Sequence, residues 1–206
     1  MSSQLAMFPL STVLFPHAVL TLHVFETRYR AMVKECLEDD ATFGVVLISR
    51  GSEVGGGETR SATGTAVRIE RARTLPDGRS ILLVRGRTRF QVLEWLADDP
   101  YPRGNVAWLE ESPPRVDPSE ALAAAEAAVQ RARALLSELE ELPPSTPGPR
   151  GAGVEARSWW LCDQAPLSAY DRQRLLECDD PVERLRLVAG LAGSVADDLA
   201  HLLRGG

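Results

Sequence analysis

Lysine is almost missing from this chain: Lys34 is the single lysine among 206 residues, and the other 22 basic side chains are arginines. A phosphate-binding P-loop needs a lysine beside a glycine-rich turn, and a Ser–Lys dyad needs one beside its nucleophile. Lys34 falls on the exposed face of a predicted helix. The sequence therefore argues against both lysine-dependent nucleotide hydrolysis and lysine-dependent proteolysis.

Metal ligands and nucleophile motifs are also scarce. The cysteines, Cys36, Cys162 and Cys178, lie far apart and form no C-x-x-C pair, and the three histidines are isolated. No G-x-S-x-G elbow and no G-x-G-x-x-G dinucleotide motif occurs. We expect no catalytic residue, no metal and no cofactor.

Long apolar runs are absent as well, since none approaches the ~20 residues needed to span a bilayer. The first ten residues show no basic segment before an apolar one, as a secretory signal would. We therefore expect a cytoplasmic protein without membrane contact. The net charge is −6, with the acidic excess after residue 115, which disfavours a general polyanion binder.

The first 112 residues have the pattern of short β-strands around one helix. The helix, Glu26–Glu38, carries an apolar stripe of Tyr29, Met32, Val33, Cys36 and Leu37. Strands are predicted at 5–10, 19–24, 43–48, 65–73, 80–95 and 105–110. Gly86, near the middle of the long strand 80–95, predicts a bulge or bend. Strands around one helix, with many Gly and Pro turns, suggest a bent antiparallel sheet or partly open barrel.

The chain from residue 117 to 206 reads as helical. Asp117, Ser168 and Asp180 are predicted N-caps, the first for a helix that runs to about residue 142. The Pro- and Gly-rich segment 143–153 cannot be helical, and we expect a flexible loop there. The last helix has an apolar repeat that favours packing onto its own chain over a coiled-coil dimer, so the protein is expected to be a monomer or weak homodimer.

Several motifs resemble one family. VLFP at 13–16, LHVFETRYR at 22–30 and FGVV at 43–46 are similar to recurring positions of the amino-terminal substrate-binding domain of Lon-type ATP-dependent proteases. The resemblance continues, more loosely, into the helical half around residues 167–185. It covers nearly the whole chain but includes neither the ATPase nor the protease module of Lon.

The resemblance implies an α+β fold: a bent antiparallel, PUA-like β pseudo-barrel (residues 1–112) with one inserted helix, followed by a C-terminal helical bundle (117–206). It also implies a non-catalytic module that binds unfolded or peptide clients, as a client adaptor in proteolysis or quality control, with a protease or chaperone as a further partner. The predicted contact surface consists of an apolar set and a glycine-rich loop: Phe15, Val24, Phe25, Tyr29, Glu53, Val54, Gly55, Gly56 and Gly57.

An alternative function is RNA binding through the arginine-rich strands at 68–89. Arg85, Arg87 and Arg89 share a parity and could form a ladder on one sheet face, where phosphates would bind. Aromatic side chains are sparse in this stretch, which weakens the expectation of base stacking.

Overall fold

The structure is a computed structural model that describes residues 3–50, 59–139, 145–149 and 151–205. By its internal contacts the chain divides into two compact units, Met1–Glu110 and Glu111–Gly206. The first unit contains the strands and one helix, and the second contains the other four helices.

The first unit is built on a six-stranded sheet. Its elements are β1 (Ser3–Leu10), β2 (Val19–Val24), α1 (Thr27–Glu38), β3 (Thr42–Arg50), β4 (Thr59–Thr74), β5 (Ser80–Trp95) and β6 (Arg103–Leu109). The strand order is β2-β5-β4-β3-β1-β6, and β6 pairs again with β5. These pairings form a ring of five strands, from which β2 extends along β5. The predicted α+β class and the single inserted helix are confirmed.

One pairing departs from the predicted antiparallel sheet, because β1 and β3 run parallel, with Met7 opposite Gly44 and Leu10 opposite Leu47. A parallel pair needs a crossover of a dozen or more residues. Residues 11–41, which include β2 and α1, supply that crossover. The direction of a strand pair depends on this connection, which the pattern of single strands does not reveal.

The long strand β5 changes partners near Gly86. Its first part pairs with β2, and its second part pairs with β6. The Gly86 amide donates to the Ala18 carbonyl at 2.9 Å, and a Cβ at this position would lie 2.1 Å from the Phe15 carbonyl oxygen. Only glycine fits this close approach. The irregularity predicted here is present as a register shift between β4 and β5.

The helix α1 buries Tyr29, Met32, Val33 and Cys36 against the sheet. The Tyr29 ring stacks on Phe8 with centroids 4.4 Å apart. Leu37, predicted to belong to the same stripe, is instead 46% exposed, because it lies at the edge of the stripe near the end of the helix.

The second unit comprises α2 (Ser119–Ser137), α3 (Val154–Gln164), α4 (Ala169–Leu176) and α5 (Pro181–Gly205). Two predicted caps are confirmed. Ser168 Oγ accepts the Asp171 amide at 3.1 Å, and Asp180 Oδ1 accepts the Val182 amide at 2.7 Å. The apolar face of α5 is buried within its own chain at Leu185, Val188 and Ala192, as predicted, whereas Leu202 is exposed.

Helix α2 is shorter than predicted, since its last helical residue is Ser137. In the expected loop 143–153, residues 145–149 are not helical. Their contacts fix this part to α3: the Thr146 amide donates to Gln164 Oε1 at 3.2 Å, and Trp160 Nε1 donates to the Thr146 carbonyl at 3.1 Å. Residues 151–153 are not helical either, and residues 143–144 and 150 lie outside the described residues.

A fully buried arginine organises the second unit. Arg184 donates to Ser158 Oγ at 2.8 Å, to Glu111 Oε2 at 2.9 Å and to the Cys178 carbonyl at 2.9 Å. Its guanidinium lies 3.2 Å from the centroid of the Trp159 ring. We call these five residues the Arg184 cluster. No sequence pattern predicted it, because its members lie far apart in the chain.

Candidate functional site

An apolar groove of about 250 Å³ in the first unit brings together three of the predicted contact residues, Val24, Phe25 and Tyr29. We call it the groove. It is lined by Phe8–Leu10 at the end of β1, by Thr21–Glu26 along β2 and the turn that follows it, and by Tyr29 at the start of α1. The buried part of the lining, which we call the floor, consists of aliphatic and aromatic side chains: Phe8, Pro9, Leu10, Leu22, Val24 and Tyr29.

The alternation of β2 divides the groove into floor and rim. Leu22 and Val24 point inward and are 6% and 1% exposed, while Thr21 and His23 point outward. Phe25, just past the end of the strand, is 55% exposed at the rim. An exposed aromatic side chain beside a concave apolar lining offers a surface that an apolar ligand could cover.

Charge at the groove is balanced locally. Glu26 is the only carboxylate in the lining, and its Oε2 accepts a hydrogen bond from Arg28 Nε at 3.1 Å. The Arg28 guanidinium also lies over the Tyr29 ring, 4.5 Å from its centroid. The groove therefore offers apolar contact with little net charge, which suits uncharged apolar ligands.

Phe15 does not belong to this surface. It is fully buried and does not line the groove, so its predicted role as a contact residue is wrong. An apolar run such as residues 13–16 could lie in the core or on the surface. The structure shows that it lies in the core, where the Phe15 carbonyl packs against Gly86. Tyr29 and Val24 are nearly as buried, so they contribute to the groove as floor. The loop Glu53–Gly57 lies outside the described residues.

The predicted arginine ladder is wrong as well. Arg87 is exposed and Arg85 half-buried, but Arg89 is only 1% exposed. Between Gly86 and Arg89, β5 advances three residues while β4 advances two, from Val67 to Thr65. One extra residue inverts the direction of every side chain beyond it, and so Arg89 points inward.

Arg85 is engaged in an ion pair. Its Nε donates to Glu70 Oε1 at 2.5 Å. This hydrogen bond lowers the pKa of Glu70 below its ordinary value. Because Arg85 is paired and Arg89 is buried, these three arginines do not form one exposed ladder on the strand.

A second depression in the first unit, of about 370 Å³, contains a polar network that sequence reasoning missed. The Tyr101 hydroxyl donates to Glu35 Oε2 at 2.5 Å, and Arg103 Nη2 donates to Glu35 Oε1 at 3.1 Å. Burial, followed by the hydrogen bond to Glu35, raises the pKa of Tyr101 to about 12. The nearby Cys36 thiol has its pKa raised to about 11, chiefly by burial. Neither group is activated for proton transfer or nucleophilic attack near neutral pH.

The described residues contain neither a candidate metal site nor a helix able to span a membrane. No group of three or more histidine, cysteine or carboxylate side chains there is arranged to hold a metal ion. None of the helices in those parts of the chain is both long and apolar enough to cross a membrane.

Comparison with known proteins identifies one family. Residues 4–192 match the model of the ATP-dependent protease La (LON) substrate-binding domain. A Lon protease of Cytophaga hutchinsonii is 29% identical over 84% of this chain, which corresponds to 22% of the relative. A LON peptidase N-terminal domain and RING finger protein of Schizosaccharomyces pombe is 27% identical over 87% of this chain and 43% of the relative. The chain thus spans less than half the length of these curated relatives.

Solved structures agree with the sequence comparison. The crystal structure of a Lon N-terminal domain protein from Xanthomonas campestris is 32% identical, with a TM-score of 0.68 over 91% of this chain and 98% of that one. The N-terminal domain of a Mycobacterium avium complex Lon protease has a TM-score of 0.62 at 16% identity, over 92% of this chain and 98% of that one, which shows a shared fold.

Proposed function

Because the chain belongs to the LON substrate-binding domain family, we propose that it is a non-catalytic module that binds exposed apolar segments of unfolded proteins in the groove. The single observation that carries this proposal is the half-exposed Phe25 beside a buried apolar floor. Folded proteins bury such segments, so the groove would select unfolded chains over native ones.

The energetics are those of a weak recognition site. Covering one aromatic side chain contributes roughly 1.5–3 kcal/mol. Because a micromolar affinity requires about 8.2 kcal/mol, a single groove of this size should bind weakly and tolerate many sequences. Such tolerance suits a module that meets many different clients.

We further propose that the protein acts as a client adaptor, which either presents bound chains to a separate protease or chaperone or competes with it for them. The supporting observation is that the matched family is the substrate-binding part of a protease. Co-purification from native lysate, with and without added unfolded protein, would identify the partner.

The binding proposal is tested by fluorescence anisotropy with a labelled, permanently unfolded model protein and its native form. We expect the unfolded form alone to bind. Phe25→Ser should weaken binding about tenfold, as expected for losing about 1.4 kcal/mol of apolar contact.

Leu93→Ser is the matched control, since Leu93 is 61% exposed in the same unit but does not line the groove. Its affinity should equal that of the wild type. If both substitutions weaken binding of the unfolded protein equally, or if neither weakens it, the groove is not the binding surface.

A further inference from the structure

The strand β2 has one edge that no strand in the described parts of the chain covers. It pairs with β5 without a register shift from Val19, opposite Arg85, to Val24, opposite Ser80. In the sheet order it is terminal. Its other edge faces the groove, which the residues from Thr21 onward line.

The direction of each backbone group in β2 follows from the hydrogen bonds of Gly86. The Gly86 amide donates to the Ala18 carbonyl at 2.9 Å, and the Gly86 carbonyl accepts from the His17 amide at 2.9 Å, so both backbone groups of Gly86 are directed toward the strand that contains β2. In an antiparallel ladder, successive residues of a strand direct their backbone groups alternately toward the partner strand and away from it. Leu20, Leu22 and Val24 therefore direct their N–H and C=O groups toward β5, and Val19, Thr21 and His23 direct theirs toward the open edge.

The opposite wall of the groove is less able to pair. Beyond Ala6, β1 leaves β6 and pairs only with β3. The Met7 amide donates to Pro102 on the β6 side, so the nitrogen of Pro9, two residues on, faces the groove. Proline has no hydrogen to donate there. Of the two walls, β2 is the one with a complete set of backbone donors and acceptors.

We propose that β2 binds an extended, uncharged segment of an unfolded polypeptide as an added antiparallel strand, with alternate apolar side chains of that segment on the groove floor. This inference rests on the proposed function and specifies its substrate class. In strand addition, main-chain hydrogen bonds, which a segment of almost any sequence can form, provide the affinity. Pockets for alternate side chains provide the selectivity. Because β2 has six residues, it can hold about 20 Å of extended chain.

In such an added strand, the direction of a residue's backbone amide determines the side to which its side chain points. A residue opposite Thr21 exchanges hydrogen bonds with it and carries its side chain on the exposed face of Thr21. Its neighbour, opposite Leu22, directs its side chain to the floor and its amide away from β2. The amides that bind β2 therefore belong to the polar residues of the segment, whose side chains contact solvent.

This link between amide and side chain allows strand addition to be tested with the wild-type protein. The probe is a peptide of about eight residues that alternates valine and threonine, measured by anisotropy beside two N-methylated forms. Methylation at the threonine amides should weaken binding at least tenfold, while methylation at the valine amides should change it less than about threefold. Equal effects of the two methylations would overturn strand addition.

A variant of the protein tests the backbone donors on the open edge of β2. Thr21→Pro removes a donor that faces the groove and leaves the ladder to β5 intact, whereas Thr21→Val keeps the amide. We expect the first to lose the peptide and the second to bind it. If the wild type is instead a dimer that Thr21→Pro converts to a monomer, a second copy occupies the edge, and the proposal is wrong.

The two proposals fail in different ways. If the unfolded model protein binds in a Phe25-dependent manner but the alternating peptide does not, strand addition is overturned and the proposed function stands. If neither the unfolded protein nor the peptide binds, the proposed function fails as well.

Discussion

The Arg184 cluster in the second unit buries a charged side chain, whereas the groove in the first unit leaves an apolar side chain exposed. Arg184 is fully buried, yet its guanidinium donates to a hydroxyl, a carboxylate and a carbonyl. At the groove, an aromatic side chain stays half-exposed and a strand edge stays open. The difference predicts that substitutions in the cluster mainly change stability, whereas substitutions at the rim of the groove mainly change the proposed client binding.

The largest effect on stability should come from breaking the Arg184 cluster. Arg184→Met leaves Glu111 and Ser158 without their buried partner, and we expect a loss of about 3–5 kcal/mol in the free energy of unfolding. Urea denaturation measures this loss. Arg186→Met, at an exposed ion pair with Glu183 on the same helix, should change stability by less than about 0.5 kcal/mol.

Substitutions in the floor of the groove should lower the free energy of unfolding as core substitutions do, unlike substitutions at the rim. Leu22→Ala removes a buried side chain and should cost about 2–3 kcal/mol. The exposed Leu93 serves as the control, and Leu93→Ala should be nearly neutral. A neutral Leu22→Ala would mean that the groove floor contributes nothing to the core of the first unit.

Stability at alkaline pH should report the Tyr101 network. Tyr101→Phe removes the hydrogen bond to Glu35 and should cost about 1–2 kcal/mol near neutral pH. The folded-state pKa of Tyr101 is raised from 10 to about 12, so the stabilisation is complete below pH 10 and is lost as the pH rises toward 12. The difference between variant and wild type should therefore shrink over this range. Tyr170→Phe, at a tyrosine 72% exposed, should parallel the wild type at every pH.

The smallest effect on stability should come from the rim of the groove. Phe25→Ser should change the free energy of unfolding by less than about 0.5 kcal/mol, because the ring is already half in water. The same variant should lose client affinity about tenfold. A destabilisation of 2 kcal/mol or more, on the order of a buried aromatic, would make the rim part of the core.

Local features of the fold were predictable where neighbouring residues determine them. The stripe of α1, the caps at Ser168 and Asp180 and the limits of β2 and β5 all follow from spacing within a few residues. Val24, Phe25 and Tyr29 could be placed on one surface because they lie within six positions in the sequence. Phe15 was misplaced because an apolar residue in a short run fits core and surface equally well.

Features that join distant residues were not predictable in this way. The parallel pairing of β1 with β3, the closure of the ring by β6, the inward turn of Arg89 and the contacts of Arg184 each depend on register or packing between elements. A one-residue shift, as at Gly86, reverses side-chain direction without changing the composition of the strand. The sequence by itself determined the elements, the α+β class and the family resemblance, since these follow from local periodicity and short motifs. Only the tertiary structure decided which apolar residues form the groove and which edge of β2 is left open, because both depend on which strands meet.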